Sequence, residues 1–351
     1  MFIPNGYHSA RHAAAIIDLS ARGRIVVTGE DRVSYLQGLL SNDIAALEPG
    51  HGCYAAYLTP QGRMLADSSV LNLGDALLLD VHSSITAMLV DRFRELVFME
   101  KVTVEDRTTA WAAFGIHGPQ SARIVSEVVK PTTGTGLTRI VTDELENLPE
   151  YRHMAGQHDG IPVVAVRSDE IGEVGFVVYT DTEGARALGE ALALAGAETL
   201  DLETFDLLRL EAGRPVFPVD MNQETIPLEA GIENRAISQS KGCYVGQEVI
   251  VRILHRGQGR IARRLVGLSF EPNSATPAAG AVLTTPQESD GKPVGAITSA
   301  AHSPALERPI ALGYIKRELA EVGTELVAVG AEHRSSGVVT SGSFLRLPRA
   351  G

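Results

Sequence analysis

Near residue 262 the chain changes its period. Before that point, runs with apolar residues at alternate positions are interleaved with runs whose apolar residues recur every three or four. RIVVTG (24–29) reads as a strand and leads into GEDRVSYLQGLLSND, where Val33, Leu36 and Leu40 keep helical spacing. Glu30 and Asp31 fall in its first turn, where the helix dipole favours acids. YAAYL (54–58), the turn TPQG (59–62) and RMLADSSVL (63–71) read as a hairpin, with Pro60 and Gly62 suited to the turn. ALLLDVH is a strand, SSITAMLVDRFREL a helix and KVTVEDR a strand. The same order returns in AWAAFGIHG, PQSARIVSEVV, IPVVAVRS, EVGFVVYT and DTEGARALGEALALAGA, and the helix DLETFDLLRLEA follows. Beyond the change only short strands remain (RLVGLSF, AVLTT, VGAITSA, PIALGYI, TELVAVG and HRSSGVVT), spaced by Gly, Pro and Ser.

This pattern predicts an α+β domain over 1–262 built from two ferredoxin-like halves, then a small C-terminal β-barrel over 263–351. HRGQGRIARR is the expected hinge. A chain of 351 residues with 44% hydrophobic and 21% charged content has room for such units. Its mean hydropathy is +0.05, and no apolar run approaches the roughly 18–20 residues that cross a bilayer, so no membrane association is expected. The N-terminus has no basic stretch followed by an apolar core, so it does not read as a secretory signal. A net charge of −12 argues against broad nonspecific binding to nucleic acid. Two cysteines make no disulfide framework, which points to a reduced, cytoplasmic setting. They are also too few to hold an iron–sulfur cluster unaided.

Two residues stand out. In DLETFDLLRLEAGRPVF, Asp201 is the expected N-cap, and Leu202, Phe205, Leu207 and Leu208 the buried face. Gly213 fits the position after the C-cap, and Pro215 forbids continuation. Glu211 then lies in the last turn, where the dipole disfavours a carboxylate. It is either a surface acid paired with Arg209 or Arg214, or a carboxylate held to receive paired N–H donors of a ligand. The second residue is Cys243, in KGCYVGQE. VGQEVIVRIL has helical spacing, which would put Cys243 near a helix N-terminus beside Lys241, a setting that lowers a thiol pKa. The alternative is a structural cysteine, which is also how Cys53 reads.

Read together, these segments resemble a known family. KGCYVGQE (Lys241, Gly242, Cys243, Tyr244, Gly246, Gln247 and Glu248) resembles the signature of the YgfZ family of folate-binding proteins. The whole chain is similar to the wider GcvT-like fold of the glycine-cleavage T-protein, an aminomethyltransferase. DLSARGRIVVTGEDRVSYLQGLLSNDIAALEPG, RLEAGRPVF with IPLEAGI, and PVGAITSAAHSPALERPIALGYI carry that broader likeness. The resemblance implies a tetrahydrofolate or derivative as cofactor, with Glu211 at the pterin end. T-proteins carry a paired-aspartate segment after the first hairpin turn, with a catalytic carboxylate; here GRMLADSSVL keeps Asp67 with Ala66 in the other column, so Asp67 is the best candidate carboxylate, the alternative being that the catalytic column is the one lost. Their arginine cluster is reduced to Arg235 and Lys241 in NRAISQSK, and they lack the cysteine. The YgfZ likeness implies assembly or repair of iron–sulfur clusters in client enzymes, including those that thiolate tRNA. Cys243, with Lys241 beside it, would be the working thiol: one ligand to a transient cluster shared with a partner protein, or a nucleophile or redox thiol. The other implied activity is aminomethyl transfer to tetrahydrofolate.

Arg252, His255, Arg256, Arg260, Arg263 and Arg264 form a basic run in an acidic chain. Arg252 and Arg256 are candidates for the glutamate tail of folate or a weak tRNA contact, and a solvated hinge is the plain alternative. His8 and His12 are spaced for one helix face but have no evident third ligand, so no resident metal is expected.

Overall fold

The computed structural model describes residues 4–132, 142–256, 260–286, 292–331 and 333–345, the Arg256 side chain excepted. The chain opens with α1 (Tyr7–His12), β1 (Ala15–Asp18), β2 (Gly23–Thr28) and α2 (Arg32–Leu39). It continues through β3 (Gly52–Leu58), β4 (Met64–Asn72), β5 (Ala76–Val81), α3 (Thr86–Glu95) and β6 (Thr103–Asp106). The second half comprises β7 (Trp111–His117), α4 (Ser121–Val128), β8 (Lys130–Pro131), α5 (Thr142–Glu146), β9 (His153–His158), β10 (Ile161–Ser168), β11 (Gly175–Asp181), α6 (Thr182–Leu194) and β12 (Glu198–Thr199). Then come α7 (Leu202–Glu211) and three short helices, α8 (Pro227–Ala230), α9 (Glu233–Ala236) and α10 (Gln247–Val251).

The first sheet runs β3-β4-β5-β2-β6 with antiparallel neighbours. This is the ferredoxin-like order with β3 added at one edge. The second sheet runs β12-β1-β7-β11-β10-β9-β8. Here β1, from the start of the chain, lies between the half's first and last strands and pairs β12 in parallel. The sequence pattern did not show β1 or β12, which have only four and two residues.

Burial explains the layering. In β2, Ile25 and Val27 pack with Leu36, Leu89 and Phe93 under α2 and α3. Val26, from the opposite face, joins Leu71, Leu78, Val166, Val177 and Leu208 between the two sheets. The far face of the second sheet, with Ile116, Phe176 and Val178, packs on Ile124 and Leu188 of α4 and α6. The order is therefore helices, sheet, sheet, helices. Strands buried on both faces need near-continuous apolar runs, as RIVVT and ALLLDV supply.

The final unit is a closed barrel of β13 (Arg263–Phe270), β14 (Val282–Thr284), β15 (Gly295–Ser303), β16 (Arg308–Lys316), β17 (Glu325–Val329) and β18 (Arg334–Thr340). Leu268, Phe270, Leu283, Ile297 and Val339 fill it. It docks through α7. Leu210 packs on Ile310 and Leu312, and buried Arg209 donates to Ser299 Oγ at 2.8 Å and Asp220 Oδ2 at 2.5 Å. Thr298 and Ser299 hydroxyls donate to the other Asp220 oxygen, so the buried charges are paired across the junction. Among the described residues, no helix is long and apolar enough to cross a membrane.

Candidate functional site

The layer between the sheets is apolar in its middle and polar at one end, and the strand register decides which residues reach that end. Along β4 the even positions Met64, Ala66, Ser68 and Val70 are buried, and the odd ones turn the other way. Ala66, 2% exposed, sits in the core under α2 and α3. Asp67 therefore shares the inter-sheet face with Leu71. Ala56 stands opposite Asp67 and Tyr54 opposite Ser69. Tyr54 is thus diagonal to Asp67, and its hydroxyl donates to Asp67 Oδ2 at 2.6 Å. Asp67 so faces the polar layer, and Ala66 beside it faces the core.

Around this pair lie charged groups from segments far apart in sequence. Arg235 of α9 places its guanidinium 4.9 Å from the Tyr54 ring centroid. Its Nη2 donates to Tyr151 Oη at 2.8 Å and Glu150 Oε1 at 2.9 Å. Arg214, just past α7, pairs with Asp169 at 3.1 Å. Arg22, in the β1–β2 turn, pairs with Asp80 at 2.6 Å and Glu170 at 2.9 Å, and Tyr179 donates to Asp80 at 2.7 Å. The side chains of Arg22, Glu170, Arg214, Asp169 and Arg235 remain between 24% and 31% exposed, so solvent reaches this charged layer. Nε of Arg235 is a buried donor without a partner among the described residues. Burial pushes the Asp67 carboxyl up, while the Tyr54 hydroxyl, Arg22 and the Phe217 amide pull it back. A partly desolvated carboxylate, an unmet N–H donor and two phenol rings form a site for a polar, donor- and acceptor-rich heterocycle.

Glu211 stands elsewhere in this scheme. Its helix is punctuated as the sequence predicts: Asp201 caps Thr204 N at 2.7 Å, and Gly213 has φ 68°. A Cβ at Gly213 would come within 1.9 Å of Gly342 O. Leu202, expected on the buried face, is 69% exposed, and Thr204 is buried instead. Glu211 itself is 0% exposed. Its oxygens accept from Tyr7 Oη at 2.8 and 2.9 Å, Arg11 Nη2 at 2.5 Å and Ser303 Oγ at 2.5 Å. The dipole penalty is met by protein donors from α1 and the barrel, and a ligand could reach this carboxylate only by displacing them. Neither surface alternative, Arg209 or Arg214, is its partner: Arg209 pairs with Asp206 and Asp220.

The KGCYVGQE segment wraps the end of α2. Lys241, 8% exposed, donates from Nζ to the carbonyls of Gln37, Leu40 and Asn42 at 2.7, 2.6 and 2.9 Å. These are orphan acceptors of a helix C-terminus and its exit, so the ammonium serves as their cap. Burial pushes its pKa down to about 8. Tyr244, 7% exposed, packs in the first core. Gly246 has φ 83°, and a Cβ there would lie 2.5 Å from Thr59 O. Cys243 is exposed. The expected helix starts only at Gln247, four residues on, and passes into a π-turn over Arg252–Arg256. Cys243 therefore lies in an irregular segment ahead of the turn at Val245–Gly246 rather than at a helix N-terminus. Cys53, half-buried at the start of β3, has its thiol pushed up to about 12 by burial.

Arg252, His255, Arg260 and Arg264 are exposed, while Arg263 pairs with Glu229 at 3.0 Å. The Arg256 side chain and residues 257–259 of the expected hinge lie outside the described residues. His8 and His12 stack at 4.5 Å on α1, and among the described residues no group of three or more His, Cys, Asp or Glu side chains is arranged to hold a metal ion. Sequence reasoning missed Tyr54, Tyr151, Glu150, Arg22, Asp80 and Glu170. Only the alternation of β3 and β4 could have pointed to Tyr54.

Comparison with known proteins agrees with this architecture. Residues 2–241 match the GCVT N-terminal domain, and residues 263–345 match the glycine cleavage T-protein C-terminal barrel domain. An aminomethyltransferase of Cutibacterium acnes is 31% identical over 324 residues, covering 91% of this chain and 84% of that one. A chloroplastic protein of Arabidopsis thaliana that carries a transferase name is 30% identical over 335 residues, 95% of this chain and 72% of that one. The crystal structure of the glycine cleavage system aminomethyltransferase T from Bartonella henselae superposes with a TM-score of 0.81 at 25% identity, covering 97% of this chain and 88% of that chain.

Proposed function

The chain belongs to the glycine cleavage T-protein family, and from that membership we propose that it binds tetrahydrofolate or a derivative in the polar layer between its sheets, with Asp67 as the working carboxylate of a one-carbon transfer site. The observation that carries the reading is Asp67 on the inter-sheet face, desolvated and held by Tyr54. The residues present fit the cofactor: Arg235 has an unmet Nε donor, Tyr54 and Tyr151 offer ring edges, and Asp67 is an acceptor. When bound, a reduced folate supplies a nucleophilic ring nitrogen for a one-carbon unit. Asp67 would accept a proton from a substrate nitrogen, or stabilise positive charge developing on it, more strongly than a hydrated carboxylate. Arg235 would fix the aromatic wall beside it. The relatives' names favour aminomethyl transfer from a carrier-borne donor as the reaction.

A second use of the folate is favoured by a different observation. In KGCYVGQE the lysine and tyrosine are buried anchors and the glycine is a sterically required turn, while Cys243 is presented to solvent. That arrangement suits the YgfZ-type reading, an accessory role in iron–sulfur cluster assembly with client enzymes such as tRNA-thiolating ones. This chain would contribute one thiolate to a cluster completed by a partner, since its own residues form no cluster site among those described.

One pair of assays separates the two. Purified protein is tested for tetrahydrofolate-dependent turnover of an aminomethylated lipoyl carrier, with Asp67→Asn as control. In cells lacking the native gene, activity of a tRNA-methylthiolating iron–sulfur enzyme is measured with wild type or Cys243→Ala restored at matched expression. Turnover lost in Asp67→Asn supports transfer. Absent turnover, with rescue by wild type alone, supports the accessory role and ends the transfer reading.

A further inference from the structure

Asp67 is held by a phenol, and that phenol is itself held. The Tyr54 hydroxyl donates to Asp67 Oδ2 at 2.6 Å, within the short range of charge-assisted O–H···O bonds. Tyr54 is 9% exposed, so its ring has little freedom. The Arg235 guanidinium lies over that ring at 4.9 Å and is fixed in turn by Tyr151 at 2.8 Å and Glu150 at 2.9 Å. From other elements, Arg22 of the β1–β2 turn and the Phe217 amide act on Asp67, and Tyr151 acts on Tyr54.

We propose that Tyr54 is a positioning residue for Asp67, holding the carboxylate ionised and in one orientation, with Arg235 fixing the Tyr54 ring from its other side. Only a hydrogen bond is involved; the phenol keeps its proton and donates it. Burial and the neighbouring Asp67 both hold the phenol pKa well above its usual value, which keeps it a donor rather than an acceptor. An ionised carboxylate has acceptor capacity beyond the Tyr54 and Phe217 bonds, and that capacity is what a substrate nitrogen would use. Without Tyr54, the partly desolvated carboxylate would protonate more readily and rotate about χ2. The inference rests on Asp67 being the working carboxylate, but its test requires neither folate nor turnover.

The test is a carbon NMR titration of protein labelled at aspartate Cγ, the Asp67 signal being assigned by its loss in Asp67→Asn. Removing one hydrogen bond to a charged group should raise the Asp67 midpoint by about one pH unit in Tyr54→Phe. Tyr151→Phe, which removes a phenol that reaches Asp67 only through Arg235 and Tyr54, should move the midpoint far less. An unshifted midpoint in Tyr54→Phe overturns the proposal, and so does an equal shift in Tyr151→Phe. If Tyr54→Phe does not fold, 3,5-difluorotyrosine at position 54 keeps the ring and donates more strongly. It should lower the midpoint, and a midpoint that stays or rises overturns the proposal. A shift with the expected sign in a protein that binds no folate would retain this inference while removing the proposed function.

Discussion

Replacing Glu211 with alanine should unfold the junction between α1, α7 and the barrel far more than it alters any ligand site. The side chain is 0% exposed, and three protein groups donate to it: Tyr7, Arg11 and Ser303. Removing one partner of a buried ion pair costs about 3–5 kcal/mol. Arg11 keeps a second partner, Glu173 at 3.0 Å, which lowers the cost. The two stranded hydroxyls raise it again, at roughly 1–3 kcal/mol each where water cannot enter. A net loss of about 3–5 kcal/mol is expected. Glu211→Gln keeps an acceptor oxygen for the hydroxyls and loses only the charge, so it should cost less. Urea unfolding followed by the fluorescence of the single tryptophan, Trp111, reads both variants. Wild-type stability in Glu211→Ala, together with lost folate affinity, would refute the reasoning and return Glu211 to the role that resemblance to T-proteins implies.

His117 is fully buried with neither ring nitrogen bonded to a described residue, and burial pushes its pKa down to about 4. Since the unfolded value is about 6.5, protons favour the unfolded chain; stability is kept above about pH 6.5 and falls by up to roughly 3 kcal/mol toward pH 4. His117→Leu should flatten that part of the urea-midpoint profile, and an unchanged slope would count against it. Lys241→Met should strip three carbonyls of their donor and destabilise the protein by roughly 2–4 kcal/mol in urea, whereas a lysine important only for chemistry would leave the midpoint unmoved. In the native protein, Cys243 should react with a thiol reagent and Cys53 only after denaturation, because one is exposed and the other's thiol is pushed up to about 12. Two fast thiols, or none, would contradict the surface described for KGCYVGQE.

Local signals that depend on one segment were legible in the sequence. The strand runs, the Asp201 cap, Gly213 and the onset of β13 at Arg263 all follow from period and punctuation. Elements defined by their partners were not. β1 is AIID among alanines, and only its place between β12 and β7 makes it a strand. Leu202 lies at the start of its helix, where the turn faces solvent, so helical spacing alone misassigned it. The candidate site is the extreme case. Asp67 and Arg235 could be singled out, but Tyr54, Arg22, Asp80, Glu150 and Glu170 meet them only once two sheets face each other. Lys241 reads as an activator of its neighbouring cysteine until the three carbonyls of the α2 terminus are seen around its ammonium.

Calorimetric titration of the protein with tetrahydrofolate under anaerobic conditions tests the central claim most directly, using wild type and an Arg235→Gln variant of confirmed fold. The account predicts stoichiometric binding by wild type and an affinity at least about tenfold weaker in the variant, the loss expected for one charged hydrogen-bonding group. No binding by wild type, or equal affinity in the variant, would contradict a folate site in the layer between the sheets.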